Sequence, residues 1–128
     1  MIGCVLRATG KTLDIDAIKS RISLTPNNFF RKGDAKSRNR EWETSGLTFV
    51  VSDAPGNDLS QQISDAVEFL SRNKEDLTKL RDFMGLEDLR LEFSVDKKKG
   101  FRQDTFFPAG LVKSAGDLAI GIELLIYG

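Results

Sequence analysis

The chain predicts an α+β domain, specifically a ferredoxin-like sandwich with a β-α-β-β-α-β core and an added C-terminal helix and strand. Two observations carry that expectation. Stretches of apolar–polar alternation recur at residues 2–9, 43–52, 89–95 and 122–126, as half-buried strands require. Between them lie stretches with apolar residues at helical spacing, so the helices fall between strands and can share one face of a mainly antiparallel sheet.

In chain order, Ile2, Cys4, Leu6 and Ala8 share one face of a first strand that Gly10 ends. Ile15, Ile18 and Ile22 form a stripe on a helix over 14–22, with Thr12 or Asp14 as its N-cap. Thr25-Pro26 stops it, because a residue before proline disfavours the α region. Leu47, Phe49 and Val51 face inward from the next clear strand, and the DAPGN run at 53–57 is a turn cluster. Asp58 opens the long helix, with Gln61 placed to complete a capping box.

Leu59, Ile63, Val67 and Leu70 make the stripe of that helix, thickened by Ala66. Asn73 restarts or kinks it, Leu77, Leu80 and Met84 continue the spacing, and Gly85 stops it. Leu89, Leu91, Phe93 and Val95 alternate with Arg90, Glu92 and Ser94 in the cleanest strand of the chain. Residues 97–100 are a turn. Pro108 suits the first turn of a last helix, reaching about Ala119, with Leu111, Ala115 and Leu118 inward. Ile122, Leu124 and Ile126 close the chain as a strand.

Residues 27–33 (NNFFRKG) are the ambiguous piece. As an edge strand paired with 43–52 they leave 34–41 as a hairpin loop and give the ferredoxin-like order. As irregular chain they leave an alternating βαβαβαβ pattern.

A single domain over residues 1–128 suits 128 residues of which 40% are hydrophobic, since a chain of this size buries about two thirds of its extended surface. One cysteine allows no internal disulfide framework, as befits a reducing cytoplasm. The N-terminal Ile-Gly-Cys has the look of a bacterial lipoprotein cleavage site. Only three residues precede Cys4, however, where a signal peptide needs a basic segment and an apolar run. No stretch approaches the roughly 20 apolar residues that span a bilayer. The expected setting is cytoplasmic and free of membrane.

Formal net charge is zero, but nine of the 19 basic residues sit in two short segments. The first, FFRKGDAKSRNREW at 29–42, holds Arg31, Lys32, Lys36, Arg38 and Arg40 between two phenylalanines and Trp42, against Asp34 and Glu41. The second, KKKGFR, holds Lys97, Lys98, Lys99 and Arg102, with Phe101, Phe106 and Phe107 nearby.

The run SLTPNNFFRKGDAKSRNREW, with Thr25-Pro26, Lys32-Gly33-Asp34 and Trp42 at the start of a strand, resembles the small bacterial proteins grouped as domain of unknown function 4279. The closing DLAIGIELLIYG is similar to that group's helix-to-strand ending. The resemblance implies the fold and a bacterial source. It brings no activity, cofactor or catalytic residue.

Much chemistry is excluded by composition. With no histidine there are no Ser-His or Cys-His pairs, imidazole shuttles or ordinary zinc sites. Cys4 points inward from a strand, where an apolar environment makes a thiol inert. Neither phosphate-loop glycine pattern occurs. Asp14 and Asp16 suit a helix start, and Glu87 with Asp88 suit a turn.

The residues left for function are the two basic segments and Trp42. Trp42 packs beside Phe29 or Phe30 in one reading and is an exposed anchor in the other, since Trp and Arg are enriched among interface hot spots. The expected function is a non-catalytic binding protein with no cofactor and no metal, recognising an acidic protein partner, for instance in an antitoxin- or immunity-like role. The alternative is an RNA- or nucleotide-binding domain, in which aromatic and basic groups would stack on bases and attract phosphates. An RNA-recognition strand signature is absent.

Overall fold

The computed structural model describes residues 2–100 and 102–128, with nothing said of the Ile2 side chain. Its elements in order are β1 (Ile2–Gly10), α1 (Ile15–Arg21), β2 (Asn28–Phe30), β3 (Ala35–Ser37), β4 (Arg40–Glu41), β5 (Ser45–Pro55), α2 (Leu59–Arg72), α3 (Lys74–Arg81), β6 (Asp88–Asp96), α4 (Ala109–Asp117) and β7 (Gly121–Tyr127). The fold is mixed α+β. Five strands form one sheet in the order β2-β5-β1-β6-β7, and β3 with β4 forms a separate two-stranded ribbon. β1 runs antiparallel to both β5 and β6, β2 antiparallel to β5, and β7 parallel to β6.

The helices cover one face. Cys4, Leu6, Ala8, Leu47, Phe49 and Phe93 from the strands share a single cluster with Ile18, Phe69, Leu70, Leu77, Leu80 and Leu111 from the helices. Alternation along each strand therefore sends Arg7, Thr48, Arg90 and Glu92 to the opposite, uncovered face.

Helix ends follow local chemistry. Asp14 caps α1, its carboxylate accepting from the Ala17 N–H at 3.1 Å. Asp58 caps α2 by accepting from the Gln61 N–H at 3.1 Å. The Gln61 side chain turns instead to Asp65 at 2.8 Å, so only half of the expected capping box forms. The long helix breaks at Asn73 into α2 and α3. Met84 departs from expectation: α3 ends at Arg81, so Met84 leaves the helical stripe and stands 91% exposed. Gly85 follows with φ +92, where a side chain would also crowd the Thr12 backbone. Pro108 is the extended cap of α4 rather than its first turn.

β1 pairs with β6 no further toward its start than Cys4 opposite Phe93. Beyond that point the buried Gln62 of α2 takes the role of a strand neighbour. Its amide nitrogen donates to the Ser94 carbonyl at 2.8 Å and the Pro55 carbonyl at 3.1 Å, and its oxygen accepts from the Ser94 N–H at 3.3 Å. A fully satisfied buried amide locks α2 to two strands at once. Among the described residues, no helix is long and apolar enough to cross a membrane.

Candidate binding surface

The segment between β2 and β5 is an ordered arm, and one glycine makes it possible. Phe30 pairs with Gly46, and a Cβ on Gly46 would lie 2.5 Å from a ring carbon of Phe30. Without that Cβ the Phe30 ring lies down on the uncovered face of the sheet. Trp42 closes over it, with ring centroids 3.8 Å apart and planes 16° from parallel. Phe30 is thereby only 6% exposed although it stands outside the main core cluster.

Backbone bonds fasten the base of the arm. Gly33 N–H donates to the Trp42 carbonyl and Trp42 N–H to the Asp34 carbonyl, each at 2.9 Å. The Asp34 carboxylate accepts from Arg31 N–H at 2.9 Å, and Ser45 Oγ accepts from Lys32 N–H at 2.9 Å. Gly33 supplies φ +93 at the bend. Asn39 sits at φ 65 at the tip, a conformation Asn tolerates well. Residues 34–41, expected as a plain loop, thus contain the β3–β4 ribbon.

The five basic side chains of the arm split into two sets. Arg31 is engaged: it pairs with Asp16 of α1 at 2.8 Å and lies 5.1 Å over the Phe29 ring. Lys36 stands 4.8 Å over the Trp42 ring. Among the described residues, Lys32, Lys36, Arg38 and Arg40 form no ion pair, and all four are exposed. The result is a cationic ribbon held on a rigid aromatic root.

Trp42 is stacked on Phe30 and also has the Lys36 ammonium over its ring. Phe29 is similarly overlain by Lys19 at 4.3 Å and by Arg31. A nucleic-acid base stacking on either ring would compete with a cation already over it.

The structure does not bring the two basic segments together. Register aligns Phe30, Gly46, Thr9 and Asp88 across the sheet, so the arm leaves at the end where β6 begins. Lys97 follows Asp96, where β6 finishes. The roots are therefore about 27 Å apart along the strands and about 14 Å across them. In the second segment Lys97, Lys98, Lys99 and Arg102 are all exposed. Gln103 pins that loop, accepting from Lys98 N–H at 2.9 Å and donating to the Asp96 carbonyl at 3.0 Å, while Arg102 pairs with Asp104 at 2.8 Å. Phe101 lies outside the described residues. Phe107 packs on Phe93, with centroids 5.3 Å apart, and belongs to the core margin.

Sequence reasoning passed over a charged network in the middle of the uncovered face. Arg7 Nε donates to both oxygens of Glu92 at 3.1 Å. Arg90 bonds Asp88 at 2.6 Å and Glu123 at 3.1 Å. Burial, and after it a hydrogen bond shared with Glu123, push the Glu92 carboxyl above its usual range, while Arg7 pulls it back. Each charge was visible as the polar side of a strand; Arg7 meets Glu92 because β1 lies beside β6, and Glu123 joins them because β7 lies on the other side of β6. Glu87 and Asp88 serve structure, accepting from Lys11 N–H and pairing with Arg90 respectively. Cys4 is buried, and burial pushes its thiol far above the usual range, so it stays protonated.

The chain belongs to the family described as Domain of unknown function (DUF4279), whose model matches residues 1–128. No curated protein and no solved structure matches it.

Proposed function

We propose that this family member is a non-catalytic binding domain that docks an acidic protein surface on its 31–42 arm. The observation that carries the reading is the contrast within the arm. Its backbone is fixed by the Phe30–Trp42 stack and paired backbone bonds, while Lys32, Lys36, Arg38 and Arg40 are exposed and without an ion-pair partner among the described residues. A preorganised cluster of free cations costs little ordering entropy on binding and speeds encounter with an opposite charge. The stack of Phe30 on Trp42 and the cations already over Trp42 and Phe29 favour a protein partner over single-stranded RNA, which stacks its bases on aromatic rings. An antitoxin- or immunity-like pairing in a bacterial cytoplasm is one form such recognition takes.

The strand order β2-β5-β1-β6, with antiparallel neighbours throughout, supports reading the core as ferredoxin-like, with α4 and β7 appended. In that reading the arm is an elaboration of the hairpin between the second and third core strands.

The test is affinity capture from the source cell with the wild-type chain and with the combined variant Lys36→Glu, Arg38→Glu and Arg40→Glu. An acidic protein retained by the wild type, lost with the variant and unmoved by added RNA supports the proposal. Capture of nucleic acid whose affinity falls log-linearly with salt, at a slope of roughly −0.7 per phosphate contact, would replace it with the RNA reading. Equal capture by both proteins would place the site elsewhere.

A further inference from the structure

We infer that β7 is a dimerisation edge, pairing antiparallel with β7 of a second copy of this chain to make one continuous ten-stranded sheet. The strand GIELLIY is an edge strand of seven residues, in unbroken parallel register with β6 from Arg90 opposite Gly121 to Asp96 opposite Tyr127. Among the described residues, the outward backbone groups of Ile122, Leu124 and Ile126 make no hydrogen bond, while the Tyr127 carbonyl faces β6 and accepts from Lys97 N–H at 2.7 Å. Natural edges are blunted by proline, lysine, bulges or shortness. This one has no proline, no lysine and no bulge, and a single charge, Glu123.

Exposed apolar side chains are enriched in the last part of the chain, two of them on the strand itself. Of seven large hydrophobic residues exposed among those described, four belong to the last part of the chain: Phe106, Val112, Ile126 and Tyr127. Ile126 alternates with Leu124 and Ile122, yet is 57% exposed at the end of the strand where those two reach the core.

Two features of the strand choose a second copy as the occupant. The first is steric. Antiparallel pairing centred on Leu124 keeps faces matched and sets Leu124 against itself, Ile122 against Ile126, Glu123 against Leu125, and Tyr127 against Gly121. Apolar residues then meet apolar ones, and the tyrosine ring of each copy covers the bare glycine of the other. The two Glu123 carboxylates do not face each other.

The second feature is electrostatic. At the end where β7 finishes, Lys97, Lys98, Lys99 and Arg102 outnumber Asp96 and Asp104 by four to two. At the end where it starts, Glu87, Asp88, Asp117 and Glu123 outnumber Lys11, Arg90 and Lys113 by four to three. The edge is a charge gradient, and an antiparallel neighbour sets each basic end beside an acidic one. Parallel pairing would set like ends together.

The inference is independent of the arm and is tested by the mass of the full chain in solution, measured by sedimentation velocity across concentration. A concentration-dependent monomer–dimer equilibrium is expected. Ile126→Lys combined with Tyr127→Lys should weaken it at least about tenfold, since the Ile122–Ile126 and Gly121–Tyr127 contacts are lost at both ends of the pairing and lysines face each edge. Circular dichroism of the monomer should be unchanged, because both side chains are already exposed.

The gradient has its own test. A chain with Lys97→Glu, Lys98→Glu and Lys99→Glu, and a second chain with Glu87→Lys and Asp117→Lys, should each be monomeric alone and form a heterodimer when mixed, because mixing restores opposite charges at both ends. A wild type that stays monomeric up to its solubility limit overturns the inference. So does a dimer that the edge lysines leave intact. Failure of the mixed chains to pair overturns the antiparallel register.

Discussion

The two edges of the main sheet are finished in opposite ways. On one side β2 is three residues long, follows Pro26, and hands over to an arm whose root is the Phe30–Trp42 stack. The stretch of β5 beyond β2 is broken by irregular register against β1 between Ile2 and Val5, and ends in Pro55. On the other side β7 runs seven residues in regular register with apolar side chains. The first edge is protected by shortness, bulges and proline, as edges exposed to water usually are. The second has none of these devices. Exposed charge is thus presented where the backbone is closed, and backbone is presented where it is open.

The sharpest way to break this contrast is to remove the root of the arm. Phe30→Ala should cost about 3 kcal/mol or more by chemical denaturation, as deletions of buried aromatics do. The matching deletion at the other edge, Ile126→Ala, should cost the monomer less than about 0.5 kcal/mol, as surface changes do. Equal losses would erase the distinction between a packed edge and an open one.

Trp42→Ala comes next. Trp42 is half-buried and covers Phe30 on one side only, so about 1–3 kcal/mol is expected, below a full core deletion. The same variant should speed amide exchange at Gly33, whose N–H is held by the Trp42 carbonyl. A stability loss without faster exchange in the arm would mean the stack does not hold the ribbon in place.

A smaller effect belongs to the strands between the edges and is read by pH. Glu92 has a raised pKa in the fold, so the folded state holds its proton more tightly than the unfolded state does. Its contribution to stability is therefore greatest below the ordinary Glu range and declines as pH rises from there through the raised value. Glu92→Gln should flatten that decline, read from denaturation midpoints across the acid range. If the wild type instead gains stability from this group over the same interval, Arg7 outweighs burial and Glu123.

The smallest expected effect belongs to the arm's free charges. Reversing Lys36, Arg38 and Arg40 to Glu should shift stability by no more than about 0.5 kcal/mol, because exposed unpaired charges hold little of the fold together. Unfolding of that variant would show the ribbon to be structural and not a docking device.

How much of this was legible in the sequence depends on the range of the forces involved. The strands β1 and β6 and the turn at Gly85 were readable because alternation and a positive-φ glycine are local signals, but the helix expected to run up to Gly85 already ends at Arg81. The β3–β4 ribbon was not, since AKSRNRE has no apolar alternation and is held by a tertiary stack and by backbone bonds at its base. The aromatic neighbour of Trp42 was legible from its place in the run, but Gly46 as the cause was not, because that role appears only when register sets it under Phe30. Gln62 was hidden for a similar reason: its value lies in replacing a strand where β1 has ended. Both basic segments could be found by composition. Their placement at opposite corners required the strand order.

Amide hydrogen exchange of the wild-type chain at low and high protein concentration tests the central contrast most directly. The account predicts that the outward amides of Ile122, Leu124 and Ile126 gain protection as concentration rises, while those of the arm, including Gly33 and Trp42, keep the same protection throughout. Protection that grows in the arm, or that stays unchanged in β7 while the protein is dimeric, would contradict it.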